Sequence, residues 1–92
     1  MYDRQLLTFV RGAETGSLTQ AAEKLYITPA AVMKQMNALE ARLELRLIER
    51  SNQGVRLTRA GEYLYGEALK LIAASDAAVE RAREMQSREG RV

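Results

Sequence analysis

Basic side chains are concentrated in the middle of this 92-residue chain, where they could bind anionic groups. Up to Arg59, nine Lys or Arg stand against six Asp or Glu, whereas the rest of the chain carries five against six. Six of the cations lie within about a quarter of the length: Lys34, Arg42, Arg46, Arg50, Arg56 and Arg59. A phosphate-binding surface requires such a cluster, and a solvated surface of mixed charge is the alternative on charge alone.

Several other kinds of chemistry are excluded by composition. The sequence contains no Cys and no His, so it offers no disulfide, no thiolate metal site and no imidazole base. It also has no phosphate loop and no carboxylate pair in a plausible cleft, so we expect no enzyme, no metal and no cofactor. No apolar run is long enough to span a membrane and the N-terminus does not resemble a signal peptide, which predicts a cytoplasmic protein without membrane contact.

Three short helices are predicted in the first half of the chain. The first covers residues 3–15 and ends at Gly16, because apolar residues recur there at helical spacing: Leu6, Phe9, Val10 and Ala13. Ser17 and Gln20 fit a capping box for a second helix of barely two turns, whose apolar face is Leu18, Ala21, Ala22 and Leu25. Thr28 is predicted to cap the third helix, with Pro29 as its first residue.

The third helix has two faces of different character. Its predicted core face comprises Val32, Met36, Leu39 and Leu43. Its outer face comprises Ala30, Met33, Lys34, Asn37 and Ala41. A short helix, a tight turn and a capped helix with a polar outer face form a helix-turn-helix, in which the second helix can enter the DNA major groove. Three-helix cores of this kind also serve as protein-interaction modules, so the pattern alone leaves both uses open.

A hairpin is predicted after the third helix. Residues 46–51 and 54–57 are expected to form two short strands joined through Asn52, Gln53 and Gly54. Asn and Gly are expected to supply the positive-φ positions that a tight hairpin needs. This hairpin is a candidate wing beside the helix-turn-helix.

A long last helix is predicted from about residue 59 to residue 86, capped by Thr58 and followed by a fraying tail at 90–92. About 28 residues span about 42 Å at 1.5 Å per residue, so only its first two turns are expected to pack on their own chain. A heptad seam that includes Gly61 favours a second copy of the chain as the other partner. The predicted dimer residues are Leu64, Ala68, Leu71, Ile72, Ser75, Ala78, Val79, Ala82 and Met85.

The predicted fold class is mainly α: a winged helix-turn-helix with a three-helix core and a two-stranded β wing, followed by a long dimerisation helix. The expected domain organisation is a winged helix-turn-helix over residues 1–58, a linker helix over residues 59–88 and a disordered tail over residues 89–92.

Three runs of this sequence resemble the LysR-type transcriptional regulators. Residues 16–25, GSLTQAAEKL, are similar to that family's Gly-Ser-aromatic-Thr-x-Ala-Ala-x-x-Leu motif. Residues 27–40 resemble its recognition helix, and residues 47–50 and 55–61 resemble its wing and the start of its linker helix. The resemblance covers roughly residues 3–75, and no other family fits as many positions in this order, although the molybdate-responsive regulators share a related domain.

The resemblance implies sequence-specific binding of double-stranded DNA by a homodimer, with antiparallel linker helices and an inverted-repeat site. The helix from about Thr28 to Leu43 would lie in the major groove, and the hairpin would contact phosphate or the minor groove. The expected DNA-binding residues are Thr28, Pro29, Ala30, Met33, Lys34, Asn37, Arg50, Ser51, Asn52, Gln53 and Arg56. Arg42 and Arg46 are expected instead to be surface or ion-pair residues, because acidic residues lie close to them in sequence.

Four departures from the family pattern bear on which bases are read. Pro29 and Ala30 stand where Gln followed by Pro or Ser is common, so one usual side-chain donor is missing. Met33 replaces Ser and could touch a thymine methyl group, and Lys34 replaces Arg but lacks its planar fork. Glu44 replaces a Gly before the wing, which suggests that this turn tolerates a side chain.

Two other interpretations remain open at this point. A winged helix could use the same face for a partner protein, with the last helix as a scaffold. The chain is also expected to be either a fragment or a stand-alone relative, because LysR-type regulators normally continue into a larger effector-binding domain. We therefore expect no small-molecule effector site within these 92 residues.

Overall fold

A computed structural model describes residues 3–52 and 54–89 of the chain. Its elements are, in order, α1 (Arg4–Thr15), α2 (Leu18–Leu25), α3 (Pro29–Leu43), β1 (Ile48–Ser51), β2 (Gly54–Leu57) and α4 (Arg59–Arg88). The two strands pair in antiparallel fashion. The predicted fold class is thereby confirmed, while the predicted fraying of residues 90–92 lies outside the described residues.

Each helix begins at a side-chain cap. The first backbone N–H groups of a helix have no partner within it, so a neighbouring hydroxyl or carboxylate must accept from them. Asp3 accepts from the N–H of Leu6 at 2.7 Å. The predicted caps Ser17, Thr28 and Thr58 are confirmed, accepting at 3.3, 3.1 and 3.0 Å respectively.

The turns after the first three helices all use a left-handed residue. Gly16 adopts φ 67°, as its position predicts, but Tyr26 and Glu44 adopt φ 59° and 56°. Glu44 therefore takes the left-handed conformation that a Gly would adopt more easily. Among the described non-glycine residues only these two have positive φ, so the expectation that Asn52 supplies one is wrong.

The core lies where α1, α2 and α3 meet the start of the hairpin. Its fully buried side chains include Phe9, Met36, Leu39 and Leu47. Leu43 was predicted to face this core, but it is 40% exposed. It is the last residue of α3, and the chain then turns and brings Leu47, which is 0% exposed, into the core instead.

A carboxylate of α3 holds the beginning of the hairpin. Glu40 Oε2 accepts from the backbone N–H groups of Leu47 at 2.7 Å and Ile48 at 3.1 Å. The Arg46 carbonyl accepts from the Thr58 hydroxyl at 2.6 Å instead of from a strand partner. Because these groups are engaged elsewhere, β1 begins at Ile48 rather than at residue 46 as predicted.

The hairpin is also attached to the turn between α1 and α2. The N–H of Val55 donates to the carbonyl of Gly16 at 3.3 Å. Gly54 lies so close to the same carbonyl that a Cβ there would be 2.7 Å from its oxygen. The positive φ of Gly54, 118°, together with this close approach, explains why a glycine occupies the end of the turn.

Helix α4 packs along its own chain for more turns than the sequence predicts. Gly61, Ala68 and Ser75 are buried, and Leu64 and Ile72 pack against the core cluster or beside it. The expectation that only two turns pack on the chain is wrong, because Ala68 and Ser75 lie beyond those turns and are buried. Helix α1 is one of the elements that contact α4. Beyond Ser75, α4 extends away from the core. The molecule is therefore 55 Å long but only 25 by 20 Å across.

Helix α4 approaches the hairpin very closely where it begins. A Cβ at Gly61 would lie 3.0 Å from the carbonyl carbon of Leu47 and closer still to its oxygen. Only glycine fits between these two backbones without a shift. Within the described residues, no helix combines the length and apolar character needed to cross a membrane.

We predict that Glu40→Ala lowers the free energy of unfolding by about 2–3 kcal/mol, because two buried N–H groups lose their acceptor. Glu40→Gln keeps one oxygen acceptor, so it should lower the free energy of unfolding by less than half as much. Urea unfolding followed by circular dichroism measures both. Glu49→Ala removes an exposed carboxylate from the same hairpin and should change stability by no more than about 0.5 kcal/mol. Equal losses in Glu40→Ala and Glu49→Ala would contradict this role of Glu40.

A second prediction concerns pH. The N–H of Leu6 donates to the Asp3 carboxylate and the Arg42 guanidinium lies 2.8 Å from it, and both lower the pKa of Asp3. The unfolded chain therefore takes up this proton first, so the stabilisation is complete above about pH 5 and disappears as the pH falls through the folded pKa.

Asp3→Asn should accordingly be less stable than the original chain at pH 6, with a difference that shrinks towards pH 3. Urea unfolding at pH 6, 4.5 and 3 measures this trend. Asp76→Asn makes the same change at an exposed position of α4 and serves as the control. A difference between Asp3→Asn and the original chain that does not vary with pH would refute the assignment.

Candidate nucleic-acid interface

The outer face of α3 carries most of the residues predicted to bind. The Thr28 cap and Pro29 at the first helical position set where this face begins. Ala30, Lys34 and Asn37 are exposed along it, as their spacing of three and four residues requires. Met33 is only partly exposed, because it also packs against the core cluster.

This face of α3 borders a notch of about 530 Å³ that also involves α2 and β1. We call it the reading notch, and its lining residues are Leu18, Pro29, Ala30, Met33, Lys34, Asn37 and Arg50. Six of the eleven predicted DNA-binding residues are therefore brought together. Leu18 was missed, because its helical spacing assigned it only to the core face of α2. Its place directly after the Ser17 cap, at the first residue of that helix, was the available signal.

The hairpin separates two arginines that are close in sequence. Arg50 pairs with Val55, and Arg56 pairs with Glu49. Successive side chains of a strand point to opposite faces, so Arg50 lies on the face that carries buried Ile48, and Arg56 lies on the other. Only Arg50 lines the reading notch.

The other predicted residues lie outside the notch. Thr28, Ser51, Asn52 and Arg56 are exposed or close to the surface and do not line it. Thr28 uses its hydroxyl to accept from Ala31, so it acts as a cap. Gln53 lies outside the described residues. The binding roles assigned to these positions therefore stay predictions.

The cations divide into paired and unpaired groups. Within residues 3–52 and 54–89, no carboxylate forms an ion pair with Lys34, Arg50 or Arg56. Arg46 lies 4.0 Å from Glu40, and Arg42 pairs with Asp3 at 2.8 Å rather than with a sequence neighbour. Lys34, Arg50 and Arg56, which are three of the unpaired cations in the described residues, thus lie on the notch and the hairpin.

Metal binding has no support in the described part of the chain, where no three acidic residues are grouped so as to hold an ion. The notch instead combines unpaired cations, one amide and an apolar lining. Cations of this kind attract phosphate, and side chains on an exposed helix face can reach the edges of bases.

Sequence comparison finds relatives among transcriptional regulators. Residues 4–62 match the family described as bacterial regulatory helix-turn-helix protein, lysR family. An uncharacterized HTH-type transcriptional regulator in the ibpB-leuC intergenic region of Azotobacter vinelandii is 43% identical over 67 residues, which cover 73% of this chain and 46% of that protein. TcbR of Pseudomonas sp. (strain P51) is 36% identical over 80 residues, or 87% of this chain and 27% of TcbR. The chain thus spans less than half the length of these two relatives.

Two similar solved structures contain DNA. The complex of the CbnR DNA-binding domain with DNA superposes with a TM-score of 0.85 at 35% identity, covering 92% of this chain and 98% of that one. The complex of the BenM DNA-binding domain with benA site 1 DNA gives a TM-score of 0.89 at 34% identity, covering 95% and 98%. The likeness extends beyond the matched residues 4–62 into most of α4.

Proposed function

The chain belongs to the lysR family of bacterial regulatory helix-turn-helix proteins, and we propose that it is the part of a LysR-type transcriptional regulator that binds double-stranded DNA in a sequence-specific manner. The observation that carries the proposal is the reading notch, where unpaired Lys34 and Arg50 flank an exposed helix face. The DNA complexes of the CbnR and BenM domains support it, because both have this fold.

In the proposed complex α3 enters the major groove. An α-helix with its side chains is about 10–12 Å across, which matches a groove about 12 Å wide. Lys34 then donates to a guanine edge or to another acceptor, and Asn37 pairs with an adenine edge. Ala30 and Met33 offer apolar contact.

The hairpin supplies backbone contacts in this proposal. Arg50, beside α3, binds the phosphates that border the major groove. Arg56, on the opposite face of the hairpin, binds phosphate further along the duplex or contacts the minor groove. The contacts predicted for Ser51, Asn52 and Gln53 remain part of the proposal. Contacts to phosphate add affinity without selecting sequence, whereas contacts to base edges select it. Arg56 therefore contributes mainly affinity.

We also propose that α4 joins two copies of the chain. Ala68 and Ser75 are buried in their own chain, and Leu64 and Ile72 pack on its core, so they can contribute only at the margin. The rest of the predicted seam remains accessible: Leu71, Ala78, Val79, Ala82 and Met85. Leu71 and Met85 are 52% and 50% exposed. Burying such large apolar side chains in an interface is favourable, because it removes their surface from water.

A two-fold dimer would present two reading notches to an inverted-repeat site. Residues 1–58 then act as the reading unit and residues 59–88 as the linker helix that sets the distance between two such units. The antiparallel pairing expected from the family resemblance remains part of this proposal. A regulator of this kind works in the bacterial cytoplasm, where the DNA lies, and is not an enzyme.

The first test is selection of bound duplexes from a random DNA library at near-physiological salt. The chain should enrich an inverted repeat, and Lys34→Ala should bind that repeat at least about fivefold more weakly, because it loses a base contact worth about 1–3 kcal/mol. Lys70→Ala removes the same charge from exposed α4 and is the matched control. No enrichment over Lys34→Ala would favour a protein partner for this face instead.

The second test addresses the dimer by sedimentation equilibrium. Leu71→Glu should weaken self-association at least about tenfold, because it places a carboxylate in a covered apolar seam. Leu69→Glu makes the same change at another exposed position, on the opposite side of α4 and outside the seam, and should not alter the dimer. If the two variants had equal dimer dissociation constants, or if the original chain were monomeric, association through this seam would be contradicted.

A further inference from the structure

A second cleft lies between α1, the end of α2 and α3, away from the reading notch. Its volume is about 480 Å³, and none of its lining residues in the described chain also lines the notch. We call it the α1 cleft. Small-molecule sites in proteins have volumes of about 300–1,000 Å³, so the α1 cleft has room for a small ligand.

The walls of the α1 cleft are apolar. They are formed by Leu7 of α1, by Leu25 at the end of α2 and by Ile27 in the turn before α3. Leu7 and Leu25 are half-buried, and neither belongs to the described core cluster or to the side chains that pack against it. Their apolar surface therefore remains available to a ligand.

The cleft also contains a polar pair. Thr8 is only 1% exposed, and its hydroxyl donates to the side-chain carbonyl oxygen of Gln35. Both residues line the cleft. A glutamine side chain has two N–H donors in addition to its carbonyl oxygen, and the bond from Thr8 fixes the orientation of the amide without using them. The pair thus offers an oriented donor beside the apolar walls.

One of the two charged side chains at the cleft lacks an ionic partner. The Asp3 carboxylate accepts from the N–H of Leu6 and pairs with Arg42 at 2.8 Å, so its charge is balanced within the fold. Arg4 also lines the cleft, and no carboxylate within residues 3–52 and 54–89 forms an ion pair with it. A guanidinium group binds a carboxylate through two parallel hydrogen bonds. The unbalanced charge at the cleft therefore favours an anionic ligand.

We propose that the α1 cleft binds a small carboxylate with an apolar body, at a site separate from the DNA-reading face. The apolar body lies against the walls, and the carboxylate accepts from the Arg4 guanidinium and the Gln35 amide. This site replaces the expectation that the chain holds no small-molecule site. Neighbouring positions in the sequence gave no indication of it, because its residues come from three helices and a turn.

The proposed ligand would contact both helices of the helix-turn-helix as well as α1. Leu25 ends the first helix of that pair, and Gln35 belongs to the second. A ligand that binds only this folded arrangement raises the free energy of unfolding in proportion to the logarithm of its concentration, once that concentration exceeds the dissociation constant. Because the reading notch has other lining residues, the ligand leaves it open to DNA.

The test is an NMR titration of the 92-residue chain with phenylacetate, in the absence of DNA. The backbone amide signals of Leu7, Thr8, Leu25 and Gln35 should shift together, with a dissociation constant of about 1 mM, as is typical of so small a ligand. Phenylacetamide has the same shape without the charge. It should bind about fivefold more weakly, because it loses the charged hydrogen bonds to Arg4.

Matched variants assign the binding to the cleft. Arg4→Gln should weaken phenylacetate about fivefold and leave phenylacetamide unchanged. Arg11→Gln removes a cation from the same helix outside the cleft and should change neither affinity. Leu7→Ala removes part of a wall and should weaken both ligands about threefold or more. Leu7 lies outside the described core cluster, so this variant should still fold.

Three results would overturn the proposal. The first is the absence of shifts at the cleft amides up to about 10 mM phenylacetate, a concentration well above the expected dissociation constant. The second is a set of shifts centred on Lys34 and Asn37, which would place the anion in the reading notch. The third is an equal effect of Arg4→Gln and Arg11→Gln. None of these results bears on DNA binding, which the duplex selection tests separately.

Discussion

The Glu40 carboxylate connects the third helix to the hairpin, and the geometry of the reading notch depends on this connection. Its Oε2 atom accepts from the N–H groups of Leu47 and Ile48, which are buried residues. Lys34 precedes Glu40 on the same helix, and Arg50 follows Ile48 on the same strand. The Glu40 side chain therefore helps to set the distance between the two cations of the notch, together with the core packing of Met36 and Leu39 against Leu47 and Ile48.

Further contacts around Leu47 extend this constraint to α4. The N–H of Thr58 donates to the Leu47 carbonyl at 3.0 Å, and the Thr58 hydroxyl donates to the carbonyl of Arg46. Gly61 brings the first turn of α4 against the same carbonyl of Leu47. Reading helix, hairpin and long helix thus converge on a stretch of two or three residues. In the proposed dimer, this convergence is what fixes the direction of each reading face relative to the linker helices.

Charge is divided according to the same architecture. Arg42 and Arg46, near the end of α3 and the start of the hairpin, lie beside Asp3 and Glu40 and help to join elements. Lys34 and Arg50 flank the notch without such partners in the described residues, and they complement a polyanion. A carboxylate near the notch would repel phosphate, so leaving these cations unpaired costs little in water and favours the proposed ligand.

The sequence by itself determined the features that depend on neighbours along the chain. Ser17, Thr28 and Thr58 cap helices because a hydroxyl reaches an N–H group three residues away, and Gly16 ends a helix because it adopts positive φ without strain. The fold class could be predicted from these signals and from apolar periodicity. Most residues of the notch could also be predicted, because helical spacing places its α3 residues on one face.

Only the tertiary structure decided the contacts between distant residues. Arg42 forms a hydrogen bond with Asp3, which lies 39 positions away in the sequence. Leu18 of α2 lines the notch together with residues of α3 and with Arg50. The exposure of Leu43 and the long packing of α4 depend on where α1 and the hairpin lie. Periodicity tells which side of an element is apolar, but it does not tell how far a neighbouring element covers that side. That extent is set by how the elements pack in three dimensions, because each contact there joins residues that no local pattern relates.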